Sequence, residues 1–415
     1  MVTESIQAMK PLRDRHVFIR RLALFLSMLI SGGLLLFPRI PTLIIVILLG
    51  LAATGYRVSP MRRIWPVLFL MVCVLFITLV RPGPVHFESL AVRYANFFCA
   101  LVLLNAYLLG NPTALIIDLY VILRWLAFQA VVTVVLAHTL GFLFTTIKIG
   151  EESFQTLLLV FNYHASIEGT SGFFRPDGFF YEPGVFQMYL NIYLYLTLFI
   201  FKNYKYALLA TLAIFSTQST TGVVISIILL GLALLKHLTT GGIKGKLLTL
   251  LFALLVTPPV AYYGFDNVNE KIFGAAQGSS LAREYDFYTG LNVIAEYPLL
   301  GIGFDHQRYL SVSRYQGHND TLLTVDNLYE RSTSNGLIYL FYSLGIPFAL
   351  IFLGAMFRQR FFQHRLFMGV LLILSLFGEA IVFTPFVLMI VFSAFTSNRK
   401  KNRAPEASAY RTLLV

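Results

Sequence analysis

The stretch FFRPDGFFYEPGVF, residues 173–186, sets an arginine, a turn and a carboxylate close together, immediately before an apolar run. Pro176-Asp177-Gly178 is a turn signal, because proline fixes φ and glycine tolerates backbone conformations that other residues avoid. Pro183 suits the first position of a helix, which leaves Glu182 near its N-cap. Two chemistries are open to this pair. Arg175 binds an anion while Glu182 takes a proton from a hydroxyl, or Glu182 satisfies the helix dipole and Arg175 is its salt-bridge partner.

A second such stretch is SSLAREYDFYTGLNVIAEYPLLGIGF, residues 279–304. With Ser280 as a cap, Arg283 falls in the first turn of a helix, where the macrodipole disfavours a cation. An anion joining the arginine to the helix end makes sense of it, as phosphates do at other helix N-termini. A surface ion pair of Arg283 with Glu284 or Asp286 is the alternative. ERSTSNGLIYLFYSLG, residues 330–345, then places Arg331 and Asn335 at the mouth of another apolar run, where arginine also serves as an interface anchor. His306 and His318 lie nearby, yet no HExxH, paired CxxC or acidic cluster accompanies them, so neither a metal site nor a cofactor is expected. STQSTTGVV, residues 216–224, joins two apolar runs by a tight turn in which Ser219, Thr220 or Thr221 can cap the next helix.

The elements that must position these groups are membrane helices. Of the 415 residues, 57% are hydrophobic and 13% charged, with a mean hydropathy of +0.73. Soluble chains are about a quarter charged, so this apolar surplus must face lipid. Runs near the bilayer length of about 20 residues cover 20–38, 40–56, 65–80, 89–110, 118–145, 184–202, 204–218, 222–238, 246–264, 334–357, 365–379 and 381–396. The expectation is an all-α polytopic integral membrane protein with about 12 spans, 11 if the last two merge at Gly378-Glu379. The net charge of +12 is explained by topology. Basic residues gather in both tails and in connectors such as Arg57, Arg62 and Arg63 or Arg358, Arg360 and Arg365, while the connectors around Arg39 and Arg81 fall on the other side. This positive-inside pattern predicts both termini in the cytoplasm and no nucleic-acid partner. Two long loops, 146–183 and 265–333, lie outside, the second with a helix over 281–296. Cys73 and Cys99 sit in apolar runs and provide no disulfide framework. Within the spans, Arg93 is close to the outer end of its helix, where snorkelling accounts for it, and Arg124 lies near the start of its own.

Four of these stretches in this order, FFRPDGFFYEPGVF, STQSTTGVV, the Arg283 helix running into YPLLGIGF, and SNGLIYLFYSLG, resemble the bacterial O-antigen polymerase and ligase superfamily. Ligases of that superfamily carry a His-Asn pair where this chain has Ser334-Asn335, and the arginine before Glu-Pro looks more like the polymerases. The resemblance implies a fold similar to GT-C-like lipid-linked glycosyltransferases in the inner membrane, with two large periplasmic loops. It implies transfer of an oligosaccharide from an undecaprenyl-pyrophosphate donor to a second lipid-linked unit, with a polysaccharide chain-length regulator as a possible partner. Arg175, Arg283 and Arg331 are then the diphosphate ligands, because guanidinium holds phosphate oxygens bidentately. Glu182 is the base with His318 as the alternative, and Asn335 and Tyr288 are further substrate contacts. An O-antigen ligase or protein O-oligosaccharyltransferase is the sister reading. A lipid-linked sugar transporter or flippase is the reading from another class, although no inverted repeat supports it.

Overall fold

The computed structural model describes residues 2–32, 38–80, 87–109, 113–149, 152–164, 174–240, 242, 277–304, 309 and 333–396. It is mostly helical. Its helices are α1 (Val2–Leu29), α2 (Arg39–Ala53), α3 (Met61–Val80), α4 (Phe87–Leu109), α5 (Ala114–Leu140), α6 (Pro183–Tyr195, continued by a π turn, Leu196–Ile200), α7 (Tyr204–Ser216), α8 (Thr220–Thr240), α9 (Gln277–Glu296), α10 (Gly336–Arg358), α11 (Arg365–Gly378) and α12 (Pro385–Ser393). Most boundaries fall within a few residues of the apolar runs. The first and last differ: α1 ends at Leu29 rather than 38, and α12 starts only at Pro385, because a residue before proline is driven out of the helical region. The expected span 246–264 lies outside the described residues.

Five helices are long and apolar enough to cross a bilayer: Met61–Val80, Leu90–Leu109, Ala114–Leu143, Pro183–Ile200 and Gly336–Arg358. These support a multi-pass membrane protein, and five, not twelve, meet that length among the described residues. In α3, Trp65, Phe69, Val72 and Phe76 are exposed along one stripe while Ile64, Val67, Leu70 and Val74 are buried on the other. A bulky apolar stripe of that kind is stable against hydrocarbon and not against water.

The first long loop corrects the all-α expectation. It folds into an antiparallel four-stranded sheet in the order β1 (Thr145–Ile149), β2 (Glu152–Leu157), β3 (Phe161–His164), β4 (Arg175–Pro176). The β-branched run Thr145-Thr146-Ile147 favours extended backbone, and Phe144, Tyr163 and Ala137 form a small core beneath it.

The described residues form two compact units, one comprising those up to Ile122 and from Asp286 onward, the other running from Leu123 to Tyr285. In the first, α1 packs on α2, α2 on α4, α4 on α12, and α10 on α11 and α12. A Cβ on Gly50 of α2 would sit 2.6 Å from Val102 Cγ1, so glycine permits that close approach to α4. Phe97 of α4 makes edge contacts with Phe304, Phe383 and Phe392, joining α4, the YPLLGIGF segment and α12 around one ring. At the end carrying the basic connectors, Asp118 is buried and accepts from Arg20 Nε at 2.7 Å and Arg21 Nε at 2.9 Å, which ties α1 to the start of α5.

Helix α10 breaks at Gly345, whose backbone (φ 76, ψ 166) is not helical, two residues before Pro347. The break frees carbonyls that would be unsatisfied at membrane depth. The YPLLGIGF segment fills them: Gly303 N donates to Ser343 O at 2.9 Å, Ile302 N donates to Tyr342 O, and Ile346 N reaches Pro298 O at 2.8 Å. In the second unit α6 is buried along its length and packs on α7 and α8. Asn191 Nδ2 donates to Gln187 Oε1 at 2.9 Å and to Gly222 O at 3.1 Å, joining α6 to α8. FFRPDGFFYEPGVF and STQSTTGVV therefore fall together in the second unit, and YPLLGIGF and SNGLIYLFYSLG in the first.

Candidate functional site

The first unit encloses a cavity of about 310 Å3. Its wall is built from helix ends: the end of α1 (Ser31), the start of α2 (Arg39), the first two turns of α4 (Arg93) and α10 (Tyr339, Tyr342), and the approach to α12 (Thr384). Gly303, Phe304, Tyr309 and Thr333 close it from the second long loop. All these ends lie opposite the basic connectors, since consecutive spans alternate in direction. The Arg93 guanidinium lies 5.3 Å from the centroid of the Tyr339 ring, and Tyr309 stacks on Tyr342 at 4.9 Å.

Two positive side chains thus face one hollow with no carboxylate among its described lining residues. Arg39 and Arg93 are close enough that each acts on the other's charge. The hydroxyl of Ser31 on the wall is buried without a hydrogen-bond partner among the described residues. One helical turn from Arg93, the fully buried Asn96 amide is likewise unpartnered among them. Unmatched buried polar groups cost about 1–3 kcal/mol each, and like charges side by side add repulsion. An anion with several acceptor oxygens in the cavity offsets the repulsion and accepts from the Ser31 hydroxyl on its wall. The volume falls at the small end of ligand pockets, about 300–1,000 Å3.

The second unit carries FFRPDGFFYEPGVF. β4 begins at Arg175, a half-buried residue whose Nε donates to Thr217 O at 3.3 Å, so the stretch meets STQSTTGVV. The following turn is closed by Phe180 N donating to Asp177 O at 3.0 Å, with Gly178 at φ +63. A Cβ on Gly178 would lie 2.9 Å from the Phe186 ring, so glycine is required twice over. Phe180 stacks on Phe186 and on Tyr189 of α6, holding the turn against the helix. Glu182 occupies the N-cap position of α6 with Pro183 following, as expected, but its exposed side chain makes no capping hydrogen bond. Burial raises the Tyr163 phenol of β3 above its ordinary range, so it stays protonated. Ser219 does cap α8, its Oγ accepting from Gly222 N at 3.4 Å.

The remaining expected residues fall as follows. α9 begins at Gln277, so Ser280 lies inside the helix and Arg283 in its second turn, not its first; Arg283 is half-buried. Asp286 is buried rather than superficial, and its Oδ2 accepts from Ser334 N at 2.8 Å and Ser334 Oγ at 2.6 Å. Asn335 caps α10, its Oδ1 accepting from Leu337 N at 3.0 Å and Ile338 N at 3.1 Å. Tyr288 is exposed on α9. Arg124 is exposed beside the Tyr206 ring. His318 and Arg331 lie outside the described residues. No cluster of three His, Cys, Asp or Glu side chains is present among the described residues. The pairing of Arg39 with Arg93 was not read from the sequence. Its signal was there: arginines on the side the positive-inside rule leaves poor in them need a reason.

A family model described as O-antigen ligase matches residues 206–353. The match takes in STQSTTGVV, the Arg283 helix with YPLLGIGF, and SNGLIYLFYSLG. No curated protein and no solved structure matches the chain. The family match supports the O-antigen polymerase and ligase superfamily, and with it an enzyme of surface-polysaccharide biosynthesis acting on lipid-linked oligosaccharides in a membrane.

Proposed function

We propose that this chain is a polymerase that joins undecaprenyl-pyrophosphate-linked oligosaccharide repeats at the periplasmic face of the bacterial inner membrane. The observation that carries this reading is the convergence of Arg39 and Arg93 on one cavity whose described lining residues include no carboxylate. A lipid-borne diphosphate is already a good leaving group. The enzyme's work is to hold its charge as the anomeric bond breaks and to remove a proton from the attacking hydroxyl. Guanidinium forks suit the first task. A polymerase handles two lipid diphosphates, one on each substrate, so guanidinium groups beyond this cavity also have a role; Arg175, Arg283 and Arg331 are the candidates. Glu182 and His318 are candidates for the base. With the basic connectors in the cytoplasm, the cavity opens on the periplasmic side.

The description of the matched family favours the ligase as a second reading. Against it stands the Ser334-Asn335 pair, which replaces the His-Asn of ligases and is committed to Asp286 and to the cap of α10. A deletion strain separates the two. With a polymerase missing, lipid A still receives one repeat unit; with a ligase missing, it receives none. We expect the single-repeat product on a polysaccharide gel, and lipid A bare of repeats would assign the chain to the ligases.

A further inference from the structure

We propose that the turn between β2 and β3 is inserted in the lipid bilayer, with Leu158 and Leu159 lying against acyl chains. The turn runs from Leu157 to Val160 and is closed by Val160 N donating to Leu157 O at 3.2 Å. Both central residues have positive φ, 56° at Leu158 and 58° at Leu159. Turns of that pattern ordinarily take asparagine or glycine there, because a left-handed backbone brings Cβ against the following carbonyl. Here two leucines hold the positions, and they are 79% and 45% exposed. A strained backbone that turns bulky apolar groups outward is a poor solution in water and a sound one in hydrocarbon. The ladder is polarised to match: the leucines stand at one end, and Lys148 of β1 and Glu152 of β2 at the other.

Contacts with α5, in the same unit, set the depth. Gln129 Nε2 donates to Val160 O, and Gln129 lies about 16 Å back along the axis from the end of α5 at Leu140. Tyr163, further along β3, shares a core with Ala137, about two turns nearer that end. β3 therefore runs beside α5 toward Leu140, and the turn points back into the span. The apolar span of α5, Ala114–Leu143, has 30 residues, about 45 Å of helix against a hydrocarbon core of about 30 Å. Even with all the excess placed beyond the Leu143 end, the core reaches from Ala114 to about residue 134 and encloses Gln129. Irregular backbone at that depth needs partners from the protein. It has them: Gln129 serves Val160 O, Asn162 Nδ2 donates to Leu159 O at 3.4 Å, and both of these amide side chains are buried. A turn in water would have those carbonyls hydrated without such donors. Over the same stretch α5 exposes Phe128 and Val135, so acyl chains already flank the turn and are its occupant. Insertion fixes the height of β3 and, through the His164–Arg175 pair of the register, of β4.

This inference concerns how the chain sits in the membrane, and it holds whichever glycosyl transfer the chain performs. The test is a spin label on Leu158→Cys in the full-length protein, with Cys73 and Cys99 replaced by alanine, reconstituted in phosphatidylcholine vesicles. Collisions with apolar oxygen should exceed those with an aqueous nickel chelate, as they should for Phe69→Cys on the exposed stripe of α3. Lys148→Cys, at the far end of the ladder, should show the reverse order. Leu159→Cys gives a second reading of the turn in case the first label disturbs it. Adding polyprenyl diphosphate should leave both turn labels unchanged. Labels at the turn met mainly by the nickel chelate would place it in water and overturn the proposal. Screening from both reagents would mean that protein covers the turn, and a fall in oxygen collisions on adding polyprenyl diphosphate would make the substrate's tail the occupant; either result overturns it as well.

Discussion

Arg93→Ala is expected to leave the protein folded and inserted while removing polysaccharide chain growth. Truncating one partner of a desolvated, hydrogen-bonded charge pair costs about 2–5 kcal/mol, or roughly 30-fold to a few thousand-fold in donor affinity. Arg39→Ala should lower donor affinity in the same direction but by less, since its side chain lines the same wall while staying exposed. Arg93→Lys keeps the charge but not the planar fork, and should recover only part of the affinity. The expectation for stability runs the other way. Removing either arginine relieves the repulsion between the two, and the contact of Arg93 with Tyr339 returns only about 0.5–2 kcal/mol. A melting temperature that holds or rises while donor binding collapses is the signature of a group kept for its ligand. Loss of the fold in both alanine variants, or full-length product from either, would remove the pair from the substrate site.

Much of the helical layout was legible in the sequence because a membrane makes it so: long apolar runs must be helices, and basic connectors report their direction. The strands were not. β3 has four residues and β4 two, too few for a period of two to register against the surrounding aromatics. The four polar stretches were legible as stretches, but not their partners. Arg93 read alone is a snorkelling residue at a helix end. It becomes a ligand candidate only when the second turn of α4 is set beside Arg39, and that depends on α1, α2 and α4 packing together. The contact of His164 with Asp177 was not legible either, because the Pro-Asp-Gly signal marks a turn without showing that a strand pair folds the imidazole onto it. Ser334-Asn335 shows the opposite case. A pair noticed for what it replaces turns out to make the contacts that anchor α9 and start α10.

The break in α10 joins fold to site, and Gly345→Ala should disable both. At φ 76 and ψ 166 the backbone occupies a region that is essentially glycine's alone, worth about 1–3 kcal/mol of strain for any other residue. A Cβ there would also lie 2.2 Å from Leu299 O, a backbone atom that cannot swing aside. Gly301 across the contact is equally constrained, at φ +57 with a Cβ position 2.3 Å from Tyr342 O. Either alanine pries YPLLGIGF from α10 and leaves the Tyr342 and Ser343 carbonyls without their donors. Strain, clash and lost hydrogen bonds together exceed the roughly 4–5 kcal/mol beyond which a single substitution is exceptional. The cavity goes with them, because Gly303, Phe304 and Tyr309 stand on one side of this contact and Tyr339 and Tyr342 on the other. Gly354→Ala in the same helix is the control: nothing lies within 4 Å of its Cβ position, so it should melt at or above the wild-type temperature. If Gly345→Ala inserts, melts like the Gly354 control and still produces long chains, the clamp between the two segments does not shape the site.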